Sequence, residues 1–246
     1  MDKLYRKSPE NFAYVWIGIY CLVQSLSNGI SGKIGIPKSA NAVLALIQAA
    51  YLLWWLHKND LMKTFGLRKP TQSPGKLLYY IPLILVSTSN LWLGLRRNLT
   101  FAELGFHILL MLSVGFLEEL IFRGFLFEAL AKSSLKTAVI VSSLTFGAGH
   151  ILNLFNGSGM SLPAVLHQIL FAVLFGFLIV MIYLRSGSLI PCILTHQAYN
   201  ILSAFANRQA SRMQHLTVNL IELTLMLVYL ILLLRLPSTR QDSKNQ

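Results

Sequence analysis

The sequence predicts an all-α fold, a polytopic membrane bundle of about eight transmembrane helices with a polar cavity between them. Three observations carry that prediction. Of 246 residues, 54% are hydrophobic and 12% charged, and the mean hydropathy is +0.59, too apolar for an ordinary soluble domain. Apolar stretches close to the roughly 20 residues that a membrane-crossing helix needs recur along the whole chain. The connections between them are short, so residues 1–246 read as one integral membrane domain with no room for a soluble one.

Taken in order, the first span, 12–31, follows the basic stretch "MDKLYRKSPENF" without a small-residue cleavage site, and so reads as a retained helix and not a signal peptide. The second and third, 41–57 and 77–95, carry few ionisable groups. Gln24, Asn28 and the "STSN" at 87–90 read as hydrogen-bonding residues between helices, the usual work of amides and hydroxyls in a membrane. The connection "GLRKPTQSPGK", 66–76, reads as a basic interfacial loop. The fourth to seventh spans, 105–127, 137–156, 164–185 and 188–206, hold most of the ionisable residues. The eighth, 215–236, precedes a polar tail that reads as solvated.

The net charge of +12 sits in short loops beside apolar spans. That pattern points to anionic lipid and membrane topology and away from nucleic acid. Counted by loop, fourteen Lys and Arg fall on the side of the two termini and six on the other. By the positive-inside rule this places both termini in the cytoplasm, in what reads as a bacterial plasma membrane. Cys21 and Cys192 lie in separate apolar spans, which gives no support to a disulfide framework.

The chemistry concentrates in "SVGFLEELIFRGFLFEAL", residues 113–130. Glu119 and Arg123 are four apart and share a helical face. Glu118 points about 100° away at 3.6 residues per turn, so an ion pair accounts for the other two and leaves it unexplained. Partners for it come from "FGAGH", which ends in His150, and from "THQAYN", which puts His196 and Asn200 on one face. At about 1.5 Å per residue, Glu118, His196, Asn200 and His150 come out roughly 13, 12, 18 and 20 Å from the same membrane face. Those depths are compatible with one cluster. A carboxylate beside an imidazole suits general acid–base hydrolysis, and donors on a facing helix suit an oxyanion. His167, the set His215, Asn219 and Glu222, and His107 near a span end are weaker candidates, His107 for snorkelling.

These segments resemble the motifs EExxxR, FxxxH and HxxxN of the CPBP family, the CAAX-protease and bacteriocin-processing (Abi) intramembrane peptidases, in "EELIFR", "FGAGH" and "HQAYN". The resemblance covers about residues 105–206 and includes the proline upstream of the last motif. It implies an eight-helix membrane peptidase related to the type II CAAX prenyl endopeptidases. It further implies that Glu118 and His150 activate water, that Glu119 and Arg123 orient the site, and that His196 and Asn200 form the oxyanion hole. The substrate would be a membrane-associated peptide or protein. No cofactor is required by the sequence; His/Glu clusters suit zinc, but there is no HExxH. Two alternatives use the same residues: a catalytically idle peptide-binding or immunity protein, and a proton-coupled transporter, which would be expected to show repeated halves.

Overall fold

In the computed structural model, the described residues are 1–71, 80–96, 98, 100–156, 158–207 and 209–235. Among them the chain is helical, with one isolated antiparallel bridge between Leu95 and Ala206 and no strand. The helices are α1 (Asp2–Lys7), α2 (Pro9–Ile34), α3 (Ser39–Lys58), α4 (Ile81–Thr88), α5 (Phe101–Glu119), α6 (Glu128–Leu130), α7 (Leu135–Ala148), α8 (Leu162–Ser186), α9 (Ile190–Leu202) and α10 (Arg212–Arg235). Between α5 and α6 the helix continues as a π-helical segment, Leu120–Phe127. Short 3₁₀ turns extend α4, α7 and α9 as Ser89–Leu91, Gly149–Leu154 and Ser203–Phe205.

The ends of these helices follow from local chemistry. Ser8 caps α2 by accepting from the Asn11 amide at 3.3 Å, and Ser134 caps α7 by accepting from the Thr137 amide at 3.2 Å. Thr100 and Glu103 form a reciprocal capping box that starts α5. Gly66, at φ +76°, turns the chain after α3 and accepts from the Leu189 amide at 2.8 Å, which anchors the start of α9 at the same end of the bundle.

Among the described residues five helices are long and apolar enough to cross a membrane: Ser39–Lys58, Phe101–Leu130, Leu135–Leu154, Leu162–Ser186 and Arg212–Arg235. They correspond to the second, fourth, fifth, sixth and eighth predicted spans. The count of eight is not reached by this measure. The first predicted span lies in α2, long enough at 26 residues but diluted by Glu10, Asn11, Gln24, Asn28 and Lys33. The third corresponds to the short helix Ile81–Leu91, and its residues 77–79 lie outside the described ones. The seventh is α9, whose 13 residues reach only about 20 Å. Residues 72–76 of the predicted interfacial loop, the tail 236–246, and Lys76, Arg97, Arg208, Arg240 and Lys244 of the charge count also fall outside the described residues.

The packing around the site is set by small residues and rings. α5 packs on α3 and α9, α2 on α3 and the π segment, and α7 on α8. A β-carbon on Gly115 of α5 would lie 2.6 Å from Gln197 Cγ and 3.1 Å from the Gln197 amide, so this glycine lets α5 and α9 meet. Gly147 does the same for α7 against the Val173 amide and Ile169 carbonyl of α8, whereas Gly149 faces open space. At the end carrying α1, Phe12 stacks on Trp55 at 4.9 Å and meets Phe125 edge-on at 5.0 Å, with Phe65 on Phe125 at 4.9 Å. This cluster ties α2, α3 and the π segment together, each pair adding about 0.5–1.5 kcal/mol beyond its buried area.

Asn28 donates to the Asn156 carbonyl at 2.8 Å, and Asn90 donates to the Tyr199 carbonyl at 3.1 Å. Ser89 donates to Glu222. Asn28, Ser89 and Asn90 thus join elements, as expected of them, whereas Thr88 donates within its own helix to the Ile84 carbonyl at 2.9 Å.

Candidate active site

Glu119 ends α5 and Arg123 lies one turn on, inside the π segment, where every residue from Leu120 to Phe127 is buried. A π-helical register, with i→i+5 bonding, is rare and widens the turn. Both charges are fully buried, and Arg123 Nη1 donates to Glu119 Oε1 at 3.1 Å. Arg123 Nη2 donates to the Gly176 carbonyl of α8 at 3.4 Å, and the guanidinium lies over the Phe146 ring of α7 at 4.3 Å. A β-carbon on Gly176 would come within 3.1 Å of the Ser143 backbone, so this contact also depends on a glycine. Arg123 is therefore gripped by a carboxylate, a carbonyl and an aromatic face from three elements, the arrangement a buried guanidinium needs to offset its desolvation.

Glu118 lies on the same turn but is 13% exposed at its side chain, where Glu119 is wholly enclosed. Its Oε1 accepts from the Tyr20 hydroxyl of α2 at 2.6 Å. Its Oε2 lies 3.4 Å from His196 Nε2. His196 Nδ1 is in turn 2.8 Å from Glu119 Oε1. The two glutamates, which the helical angle directs to different sides, thus converge on the two nitrogens of one imidazole. With Arg123 neutralising one carboxylate, the ring faces the remaining negative charge.

His196 is buried at the centre of α9, edge-on to Phe175 at 5.3 Å and to Phe146 at 5.8 Å. His150 stands in the 3₁₀ turn after α7, against the other side of Phe146's surroundings at 5.6 Å from that ring. It is within electrostatic reach of both Glu118 and His196. Asn200 is one turn beyond His196 and half-buried. Its carbonyl oxygen is hydrogen-bonded to His107 Nε2 at 2.9 Å and accepts from Ser203 Oγ at 2.6 Å. The structure therefore joins Glu118, Glu119, Arg123 and His196 directly and sets His150 beside them. For the Asn200 side chain, no hydrogen bond to Glu118 or His196 is found among the described residues.

Two residues near the site escape sequence reasoning. Tyr20 reads as one more aromatic residue in an apolar span, and only the packing of α2 against the π segment brings it to Glu118. His107 is not a snorkelling residue. It is 5% exposed, on the face of α5 that meets α9, and its Nδ1 contacts Lys38. Its spacing from Glu118, eleven residues or about three turns, is the signal that could have placed it on the site face. Glu222 is buried against Ser89, away from the glutamate pair.

Zinc needs several donors with free lone pairs directed at one point. Here Glu119 Oε1 and His196 Nδ1 face each other, with the Arg123 cation beside them. Among the described residues no group of three or more His, Cys, Asp or Glu side chains is arranged to hold a metal ion. The Glu119 and His196 donors face one another and do not converge on a shared point as zinc requires.

In a comparison with known families, residues 100–202 match the family described as type II CAAX prenyl endopeptidase Rce1-like. The matched segment contains Glu118, Glu119, Arg123, His150, His196 and Asn200. Comparison with curated proteins and with solved structures gives no match. This segment, which carries the buried glutamate–arginine–histidine network and spans less than half of the chain, is similar to the type II CAAX prenyl endopeptidase Rce1-like family.

Proposed function

We propose that the protein hydrolyses a peptide bond of a membrane-associated peptide or protein with a water activated by Glu118 and His150. The observation that carries this reading is the difference between two neighbouring carboxylates. Glu119 is sealed at 0% exposure and engaged by Arg123, while Glu118 keeps 13% of its side chain accessible and holds one oxygen toward His196. A general base must be reachable by its water. Glu118 meets that requirement and Glu119 does not.

In this mechanism Glu118 Oε2 takes a proton from water held between it and His150, and the water oxygen adds to the carbonyl carbon. The oxyanion accepts hydrogen bonds from His196, whose orientation Glu119 fixes through Nδ1, and from Asn200. The carbon–nitrogen bond then breaks, and the proton held by Glu118 passes to the departing nitrogen. Glu119 and Arg123 position His196 and touch no reacting atom. The catalysis so described is glutamate-dependent and needs no metal.

The same reading places α2, the helix Ile81–Leu91 and α9 in the membrane beside the five longer helices, completing eight elements. Both termini lie in the cytoplasm of a bacterial cell, as the loop charges favour. The test is comparative peptidomics of cells carrying the wild-type chain or Glu118→Ala. Peptides released only by wild type support hydrolysis, and identical peptidomes contradict it.

A further inference from the structure

Tyr20 belongs to α2, outside the matched segment 100–202, yet its hydroxyl donates to Glu118 Oε1 at 2.6 Å. The residue is buried, at 7% exposure, one turn beyond Trp16. A hydroxyl donating to a carboxylate at this distance is a charge-assisted hydrogen bond, shorter and more directional than a neutral one. Resting on the hydrolytic reading above, we propose that Tyr20 is a positioning residue of the reaction: it fixes the Glu118 carboxylate and selects the oxygen that receives the proton of water.

The argument is one of lone pairs and neighbours. A glutamate has three rotatable bonds, and a free one spreads over many rotamers. Glu118 is approached from outside its own helix at both oxygens: Oε1 by the Tyr20 hydroxyl at 2.6 Å and Oε2, at the longer distance of 3.4 Å, by His196 Nε2. With Oε1 already accepting from the phenol, Oε2 is the oxygen left to receive the proton of water, which the mechanism then passes to the departing nitrogen. Removing the phenol hydroxyl leaves Oε1 without its donor and the carboxyl plane held only by the longer His196 approach. A reacting group misplaced by about 1 Å costs on the order of 10²-fold in rate.

A purely structural role, α2 pinned to α5, makes a different prediction, and the two are separated by a split between turnover, binding and stability. The full chain is reconstituted in phosphatidylcholine–phosphatidylglycerol vesicles and offered a library of internally quenched hydrophobic peptides. Rates are measured on the peptides cut fastest by wild type. Tyr20→Phe keeps the ring and its packing. It is expected to lower kcat by about 10- to 100-fold, with KM within about twofold and the unfolding midpoint unchanged. In infrared difference spectra of glutamate-labelled protein, Tyr20→Phe should shift a carboxylate band, and that shift should vanish in the Glu118→Gln background.

Wild-type kcat in Tyr20→Phe, with activity abolished by Glu118→Gln, would overturn this inference and leave the hydrolytic reading standing. So would a loss of rate matched by a fall in the unfolding midpoint, or a carboxylate band that does not move. A wild-type chain that cuts no peptide in the library would overturn the hydrolytic reading, and this inference with it.

Discussion

His196 Nδ1 lies 2.8 Å from Glu119 Oε1, the same oxygen that Arg123 Nη1 reaches at 3.1 Å. One carboxylate oxygen thus serves a cation on its own helix and an imidazole on α9. This makes Glu119 the hinge between the ion pair and the histidine, and it gives the two adjacent glutamates separate kinds of importance.

Glu119→Gln should therefore fail first in stability. It leaves the Arg123 guanidinium buried without its counter-charge, and breaking a buried pair commonly costs about 3–5 kcal/mol. Thermal unfolding in detergent should show a large drop in midpoint. A midpoint equal to wild type would show that the Gly176 carbonyl and the Phe146 ring suffice to hold Arg123.

Two glycines four residues or fewer from His150 should respond differently to bulk. A β-carbon on Gly147 would lie 2.9 Å from the Val173 amide and 3.1 Å from the Ile169 carbonyl, backbone atoms that cannot step aside. Gly149 has nothing within 4 Å. Gly147→Leu should lose about 1–3 kcal/mol or more through overpacking, and Gly149→Leu should stay close to wild type. The ratio of folded to aggregated protein after heating ranks the two, and the reverse order would contradict the α7–α8 packing described.

Much of this was legible in the sequence, for physical reasons that also mark the limits. Span length and apolarity identify α3, α5, α7, α8 and α10, because burial in lipid is a property of composition. The pairing of Glu119 with Arg123 follows from four-residue spacing alone. His196 was legible as a partner for Glu118, but its double engagement was not: spacing gives the angle between Glu118 and Glu119, not the rotation of a facing helix. Tyr20 was hidden for the same reason, since its partner is 98 residues away. The span count of eight rested on apolar windows, which register α9 by character although its 13 residues are too few. Of the two glycines in "FGAGH", only Gly147 meets a neighbouring helix closely.

The orientation of the chain rests on charge. Arg185, one of the fourteen basic residues on the side of the termini, is buried and donates to the Met181 carbonyl at 3.2 Å, so it belongs to the bundle interior more than to a loop. Thirteen against six keeps the same sign. A cysteine introduced at Lys3 should resist membrane-impermeant thiol reagents in intact cells and react after lysis. Labelling in intact cells would reverse the topology.

Hydrolysis should persist in strong chelator. Glu119 Oε1 is engaged by both His196 Nδ1 and Arg123, and the proposed mechanism gives the water-activating role to Glu118 without a metal. Peptide cleavage by purified protein in excess chelator, compared with untreated protein, checks this. Loss of activity that zinc restores would assign Glu118, His150 and His196 to a metal.

The account stands most directly on Glu118 as the base. Glu118→Gln keeps the shape of the side chain and its hydrogen bond from Tyr20, but cannot take a proton from water. Turnover measured on purified protein, alongside its unfolding midpoint, should fall by about 10²–10⁴-fold, the usual share of general acid–base catalysis, while the midpoint stays at the wild-type value. Near-wild-type turnover by Glu118→Gln, or a stability loss equal to that of Glu119→Gln, would contradict the assignment of the two glutamates.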